Sequence, residues 1–206
     1  MIKVLSHRGY WLDAREKNAV VAFERSAGLG FGTETDVRDR GGRLVISHDP
    51  SAEDAIDIDE MLGRFAGTGL TLAINVKADG LAEFLNQKMN AAGVPWFAFD
   101  MSGPELVRYV KAGLPCFTRH SDVEEHPICY GEAIGVWLDS FGPEWYDAEV
   151  IQGHLKAGKE VCVVSSELHG RDHAALWGMI KDAGLASHPK LFICTDLPEA
   201  ARAYFS

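Results

Sequence analysis

Four short polar clusters interrupt apolar runs in the first 80 residues, and their residue types suit one chemistry. Leu5-Ser6-His7-Arg8-Gly9 sets a histidine, an arginine and a glycine just past a β-rich run. Thr33-Glu34-Thr35-Asp36 carries two carboxylates two residues apart. Ile46-Ser47-His48-Asp49 brings a second histidine soon after a Gly41-Gly42 turn, and Ile74-Asn75-Val76-Lys77 ends with another polar pair. On a strand, residues two apart point to the same face, so Glu34 and Asp36 repel each other unless a cation lies between them. Hard oxygens of this kind suit Mg²⁺ or Ca²⁺, which would polarise phosphate oxygens. Arg8 and Lys77 can hold the remaining oxygens, and His7 and His48 can divide the general acid and base duties. The set fits attack on a phosphodiester. Singly, each residue also has a structural reading as a loop histidine, a capping or ion-paired acid, or a solvated lysine.

Something must bring these clusters together. Apolar, β-rich runs recur at Lys3–Leu5, Thr33–Asp36, Thr71–Val76, Trp96–Phe99, Pro115–Thr118, Ile134–Leu138, Glu160–Val164 and Leu191–Ile193. Helix-like stretches alternate with them: Asn18–Gly28, Leu81–Ala92, Pro104–Ala112, Pro143–Ala157, Asp172–Ala183 and Pro198–Phe205. Each begins near a proline or a capping residue. Strands alternating with helices indicate a parallel sheet covered on both faces. Eight strands with eight helical partners predict a compact (β/α)₈ TIM barrel with short loops, as one domain over residues 1–206. A seven-stranded or doubly wound sheet is the alternative. In a barrel the strand carboxyl ends meet at one mouth, and all four clusters lie at such ends.

Composition narrows the partners. The 206 residues are 47% apolar and 24% charged, as expected of a folded globular chain rather than a disordered one. Acidic residues outnumber basic ones 30 to 20, for a net charge of -10, and no Lys/Arg block relieves it. Nucleic acid is therefore not an expected partner. The four cysteines form no CxxC pair and read as buried free thiols. The start is too short and too soon polar for a signal peptide, and no run approaches a membrane span, so a cytoplasmic location is expected.

The order His-Arg-Gly, Asn-headed helix, Glu-x-Asp, His-Asp and polar-x-Lys resembles the glycerophosphodiester phosphodiesterase family, a barrel family that also includes the spider sphingomyelinases D. The likeness is close over roughly the first 80 residues, and Cys194-Thr195-Asp196-Leu197-Pro198 resembles the family's closing Thr-Asp-x-Pro. It implies a metal-dependent hydrolase acting on a small phosphodiester to give an alcohol and a phosphomonoester. It further implies His7 and His48 as the catalytic pair, Arg8 and Lys77 on phosphate, and Glu34 and Asp36 as metal ligands. Asn18 corresponds to the asparagine of the family's Glu-Asn-Thr segment. Asn75 stands where the third ligand is usually acidic, which removes a charge from the site. The Pro50–Leu70 connection is also shorter than in many members, leaving the mouth more open or shielded by a second copy in a homodimer. Glu167 and His169, in Ser165-Ser166-Glu167-Leu168-His169-Gly170-Arg171, stand either to contact the leaving alcohol or to cap the next helix. A non-catalytic barrel that binds an anionic ligand or a partner protein is the competing reading, motivated by Asn75. A barrel isomerase or aldolase is a weaker third, because Lys77 sits among carboxylates.

Overall fold

The computed structural model of the chain describes residues 1–50 and 55–206. Nine strands and seven α-helices follow in the order β1 (Lys3–His7), α1 (Val20–Gly28), β2 (Gly32–Arg40), β3 (Arg43–Ile46), α2 (Ile58–Phe65), β4 (Leu72–Val76), α3 (Ala82–Ala92) and β5 (Trp96–Phe99). They continue with α4 (Gly103–Lys111), β6 (Phe117–His120), β7 (Gly135–Leu138), α5 (Ala148–Lys156), β8 (Glu160–Val164), α6 (Ala174–Asp182), β9 (Leu191–Thr195) and α7 (Pro198–Phe205). Eight strands pair in parallel in the order β5-β4-β2-β1-β9-β8-β7-β6. A parallel bridge between Ala98 and Cys116 brings β5 against β6, so the sheet is a nearly closed barrel. The eight apolar runs are its eight strands.

Two layers of apolar packing hold it. Between strands and helices, residues such as Phe23, Leu62, Leu85 and Tyr109 pack on one side and Val136, Ile151, Trp177 and Ile193 on the other. Inside the barrel, aromatic rings fill the space. Phe97 stacks on Phe117 and Phe99 on Trp137, each with ring centroids 3.7 Å apart. Such bulk needs small residues opposite: a Cβ at Gly135 would run into the Phe117 ring. Gly135→Ala is expected to cost about 1–3 kcal/mol through overpacking, read as a lower denaturant midpoint. An unchanged midpoint would show that the ring has room to shift.

Two expectations need correction, and one helix goes beyond the stretches read from the sequence. Among the described residues there are seven α-helices rather than eight, because the β6–β7 connection contains none. Helix α5 begins at Ala148, not near Pro143; the Asp147 side chain accepts from the Glu149 and Val150 amides at 2.9 and 3.2 Å and caps it there. Helix α2, capped by Asp57, lies in the short Pro50–Leu70 connection, of which residues 51–54 fall outside the described residues. The three buried cysteines, Cys116, Cys162 and Cys194, are free thiols as expected, and Cys129 is half-buried and also free.

Candidate active site

Register decides which side chains meet. His7 on β1 is paired with Glu34 on β2, and Asp36 on β2 with Asn75 on β4, which pairs in turn with Phe99 on β5. The chain then turns sharply after His7. Arg8 adopts a left-handed φ of 58° and Gly9 one of 81°, and a Cβ on Gly9 would lie 2.7 Å from that of Ala22. Glycine is the residue that can follow Arg8 here. Strand β2 continues beyond the barrel and folds back through Gly41-Gly42 (φ 54° and 78°) into the antiparallel β3. Two consecutive positive φ angles match a tight hairpin turn. The hairpin returns the chain to the mouth, where Ser47 donates its amide to the Asp36 carbonyl at 3.0 Å and His48 follows.

His7, Arg8, Glu34, His48, Asn75 and His169 line one cavity of about 230 Å³, together with Phe99, Trp137 and Phe141. The two histidines differ in setting. The His7 side chain is 15% exposed and its Nδ1 lies 2.7 Å from Asp196 Oδ1, while Nε2 is 3.9 Å from Glu34 Oε2. A carboxylate only accepts hydrogen bonds, so Asp196 places the proton on Nδ1 and leaves the Nε2 lone pair free. Burial pushes His7 below its ordinary pKa, and the Asp196 hydrogen bond and charge pull it part of the way back. His48 is 46% exposed and pairs with Asp49 at 3.0 Å. Its carbonyl accepts from Arg38 Nε and Nη2 at 3.1 and 2.8 Å, while Arg38 Nη1 donates to the Lys77 carbonyl at 3.1 Å. Arg38 thus ties the β2–β3 hairpin to the end of β4.

Glu34 and Asp36 are both buried but are stabilised differently. The Asp36 carboxylate has Arg8 Nε at 3.0 Å and Lys77 Nζ at 3.3 Å, ion pairs without hydrogen-bond alignment. It also accepts from Asn18 Nδ2 at 2.9 Å, and Asn18 Oδ1 accepts from Thr35 at 2.8 Å. Glu34 has the Arg8 backbone amide at 3.2 Å. Burial first, and the Asp36 charge second, push its pKa up to about 8, with Arg8 and Lys77 only partly opposing. Asp36 is fully buried, with one oxygen toward Arg8, which reaches the cavity, and the other toward Lys77, and the strand register sets it beside Asn75.

The far wall is built from β7 and β8. Asp139 accepts from His169 Nε2 and from the Ser140 amide, each at 2.8 Å. Burial raises the Asp139 pKa and His169 opposes the shift. Glu167 is turned away from the cavity. Its Oε1 accepts from Thr195 Oγ1 and from the Asp196 amide at 3.1 Å, and Oε2 accepts from Ser165 Oγ. It braces the segment that carries Asp196. The remaining histidines lie elsewhere; among them, His120 and His154 form a half-buried chain with Tyr130.

A hard divalent cation fits this donor set. The Asn75 Oδ1 atom is buried with no hydrogen-bond partner, while Asp36 Oδ1 faces the Lys77 ammonium at 3.3 Å. A neighbouring cation would also relieve the Glu34–Asp36 repulsion that burial intensifies. Among the described residues no three His, Cys, Asp or Glu side chains form a metal-holding group, so the set relies on the Asn75 amide.

Sequence motifs placed His7, Arg8, Glu34, Asp36, His48 and Asn75 around one mouth. They assigned no part to Asp196, Asp100, Arg119 or Arg38. Asp196 had a signal in the closing Thr-Asp-x-Pro, and Asp100 and Asp139 as polar residues at strand ends; Arg38 and Arg119 had none.

No protein-family model and no curated protein sequence matches the chain. Among solved structures it is similar to the crystal structure of a "putative glycerophosphodiester phosphodiesterase" from Galdieria sulphuraria. The TM-score is 0.78 at 16% identity, covering 100% of this chain and 98% of that chain. At this identity the likeness is one of fold. No helix among the described residues is long and apolar enough to cross a membrane.

Proposed function

We propose that the protein is a metal-dependent phosphodiesterase that converts a small glycerophosphodiester or related diester to an alcohol and a phosphomonoester. The observation that carries this reading is the shared cavity of His7, Arg8, Glu34, His48 and Asn75, with the His7 tautomer set by Asp196. Glu34, Asp36 and Asn75 would hold Mg²⁺ or Ca²⁺, which neutralises charge on the phosphate oxygens when bound. Arg8 faces the cavity from its ion pair with Asp36 and holds a phosphate oxygen. Lys77 acts through Asp36, whose charge it shares with Arg8. His7 Nε2 takes the proton from the attacking hydroxyl as its oxygen bonds to phosphorus. Attack by water gives the phosphomonoester directly, and attack by a neighbouring substrate hydroxyl gives a cyclic phosphate that water then opens to the phosphomonoester. The P–O bond to the leaving alcohol breaks, and that oxygen takes a proton from His48. Phe99, Trp137 and the Asp139–His169 pair form the leaving-group side.

The test is release of a phosphomonoester from a panel of glycerophosphodiesters with Mg²⁺ or Ca²⁺. Activity is expected to vanish on chelation and in His48→Ala. No turnover of any diester with either metal would overturn the reading. A second reading, an anion-binding barrel without turnover, draws on the charge lost at Asn75 and on Asp36 already being paired with two cations. Binding of inorganic phosphate without hydrolysis of any diester would single it out.

A further inference from the structure

Asn75 is the residue at which this mouth departs from the expected three-acid pattern, and its surroundings determine how an amide can serve there. Asn75 Nδ2 donates to Asp100 Oδ2 at 3.1 Å. Asp100 follows β5 with a left-handed φ of 63°, which aims its side chain back across the strand ends. Its other oxygen is taken by Arg119 of β6, through Nε at 3.0 Å and through Nη2. Arg119 is itself held by Glu124 at 3.2 Å and lies over the Phe141 ring.

This arrangement removes the usual freedom of an amide to flip. A carboxylate only accepts, so turning Asn75 over would set its carbonyl oxygen against Asp100. Oδ1 must then face away from Asp100. It is buried, with the residue 8% exposed, and has no donor of its own. A buried acceptor left in this way is unfavourable unless something electropositive meets it. Asn75 shares its register position with Asp36 and shares the cavity wall with Glu34.

We propose that Asp100, locked by Arg119, is a positioning residue that presents the Asn75 carbonyl oxygen to a divalent cation shared with Glu34 and Asp36. The inference rests on the cation reading above and extends it to Asp100, which also lines the cavity, and to Arg119 behind it. Partners that orient a ligand from behind commonly change metal affinity by about 10- to 100-fold when removed.

The test is calorimetric titration of the full chain with MgCl₂, without substrate. Asp100→Gly removes the carboxylate while accepting the left-handed backbone, and should weaken Mg²⁺ binding by about 10- to 100-fold. Asn75→Ala should weaken it as well. Because Asp100 acts through Asn75, adding Asp100→Gly to Asn75→Ala should cause no further loss. Asp100→Asn, which keeps the size and tolerates the same φ, should bind at an intermediate level and decides the matter if the glycine variant does not fold. Wild-type affinity in the folded Asp100 variants, or an equal loss with and without the Asn75 side chain, would overturn the proposal. Failure of the wild-type chain to bind Mg²⁺ or Ca²⁺ at millimolar concentration would instead overturn the cation reading itself.

Discussion

His7→Gln should fold like the wild-type chain and cleave its diester about 10²- to 10⁴-fold more slowly, the usual worth of a positioned general base. The glutamine fills the site but cannot take a proton. The more informative variant is Asp196→Asn. In the native mouth Asp196 accepts the Nδ1 proton at 2.7 Å, which frees Nε2. An asparagine can present its NH₂ to Nδ1 instead, moving the proton to Nε2, where a lone pair is needed. We therefore expect kcat to fall by about 10²-fold or more with little change in KM, because the imidazole is still present but in the wrong tautomer. Glu167→Gln should cost less than either, since Glu167 reaches His7 only by bracing the Asp196 amide at 3.1 Å. Steady-state kinetics on the three variants orders them. Unchanged kcat in Asp196→Asn would remove His7 from the role of base.

That ordering depends on contacts no local motif could disclose. His7 and Asp196 are 189 residues apart and meet only because β1 and β9 are neighbours in the barrel. Asp139 and His169, and Asn75 and Asp100, are likewise brought together across strand ends. What was legible was each strand and its terminal cluster. Parallel strands buried on both faces read as apolar runs, and a polar residue closing such a run stands out. Helices were legible where a proline or cap and the spacing agreed, as at Pro104 in the first turn of α4. The rhythm failed where it replaced local signal. A total of eight helices follows from the rhythm alone, whereas the Ser121-Asp122-Val123-Glu124-Glu125-His126-Pro127 stretch between β6 and β7 offers no apolar stripe. The Gly41-Gly42 turn was visible, but not that it folds β2 back as a hairpin and so delivers His48. Nor did two equivalent-looking acids on β2 reveal that one has Arg8 and Lys77 beside it and the other only the Arg8 amide.

Those two acids give the second large effect. Asp36→Asn is expected to destabilise the metal-free protein by about 3 kcal/mol, because the buried carboxylate is what Arg8 and Lys77, only 23% and 20% exposed, share as their counter-charge. For a chain of this size that corresponds to a fall in Tm of roughly 6–12 °C. Glu34→Gln should behave in the opposite way. Burial and Asp36 raise Glu34 to about 8 from an ordinary 4.5, so near neutrality the folded chain largely holds it protonated, and glutamine is close in shape and charge. The sign follows from linkage. Between pH 4.5 and about 8 the folded state binds a proton that the unfolded state has released, so wild-type stability falls as pH rises through that window. Glu34→Gln lacks the group and avoids the loss, so its advantage over wild type should grow from pH 5 to pH 8. Thermal melts in chelating buffer across that range check both variants. A wild-type Tm for Asp36→Asn, or a Glu34→Gln variant that loses ground as pH rises, would contradict the assignment. Mg²⁺ should then reverse the Glu34 trend in the wild-type chain alone, since a bound cation favours the ionised carboxylate that glutamine cannot supply.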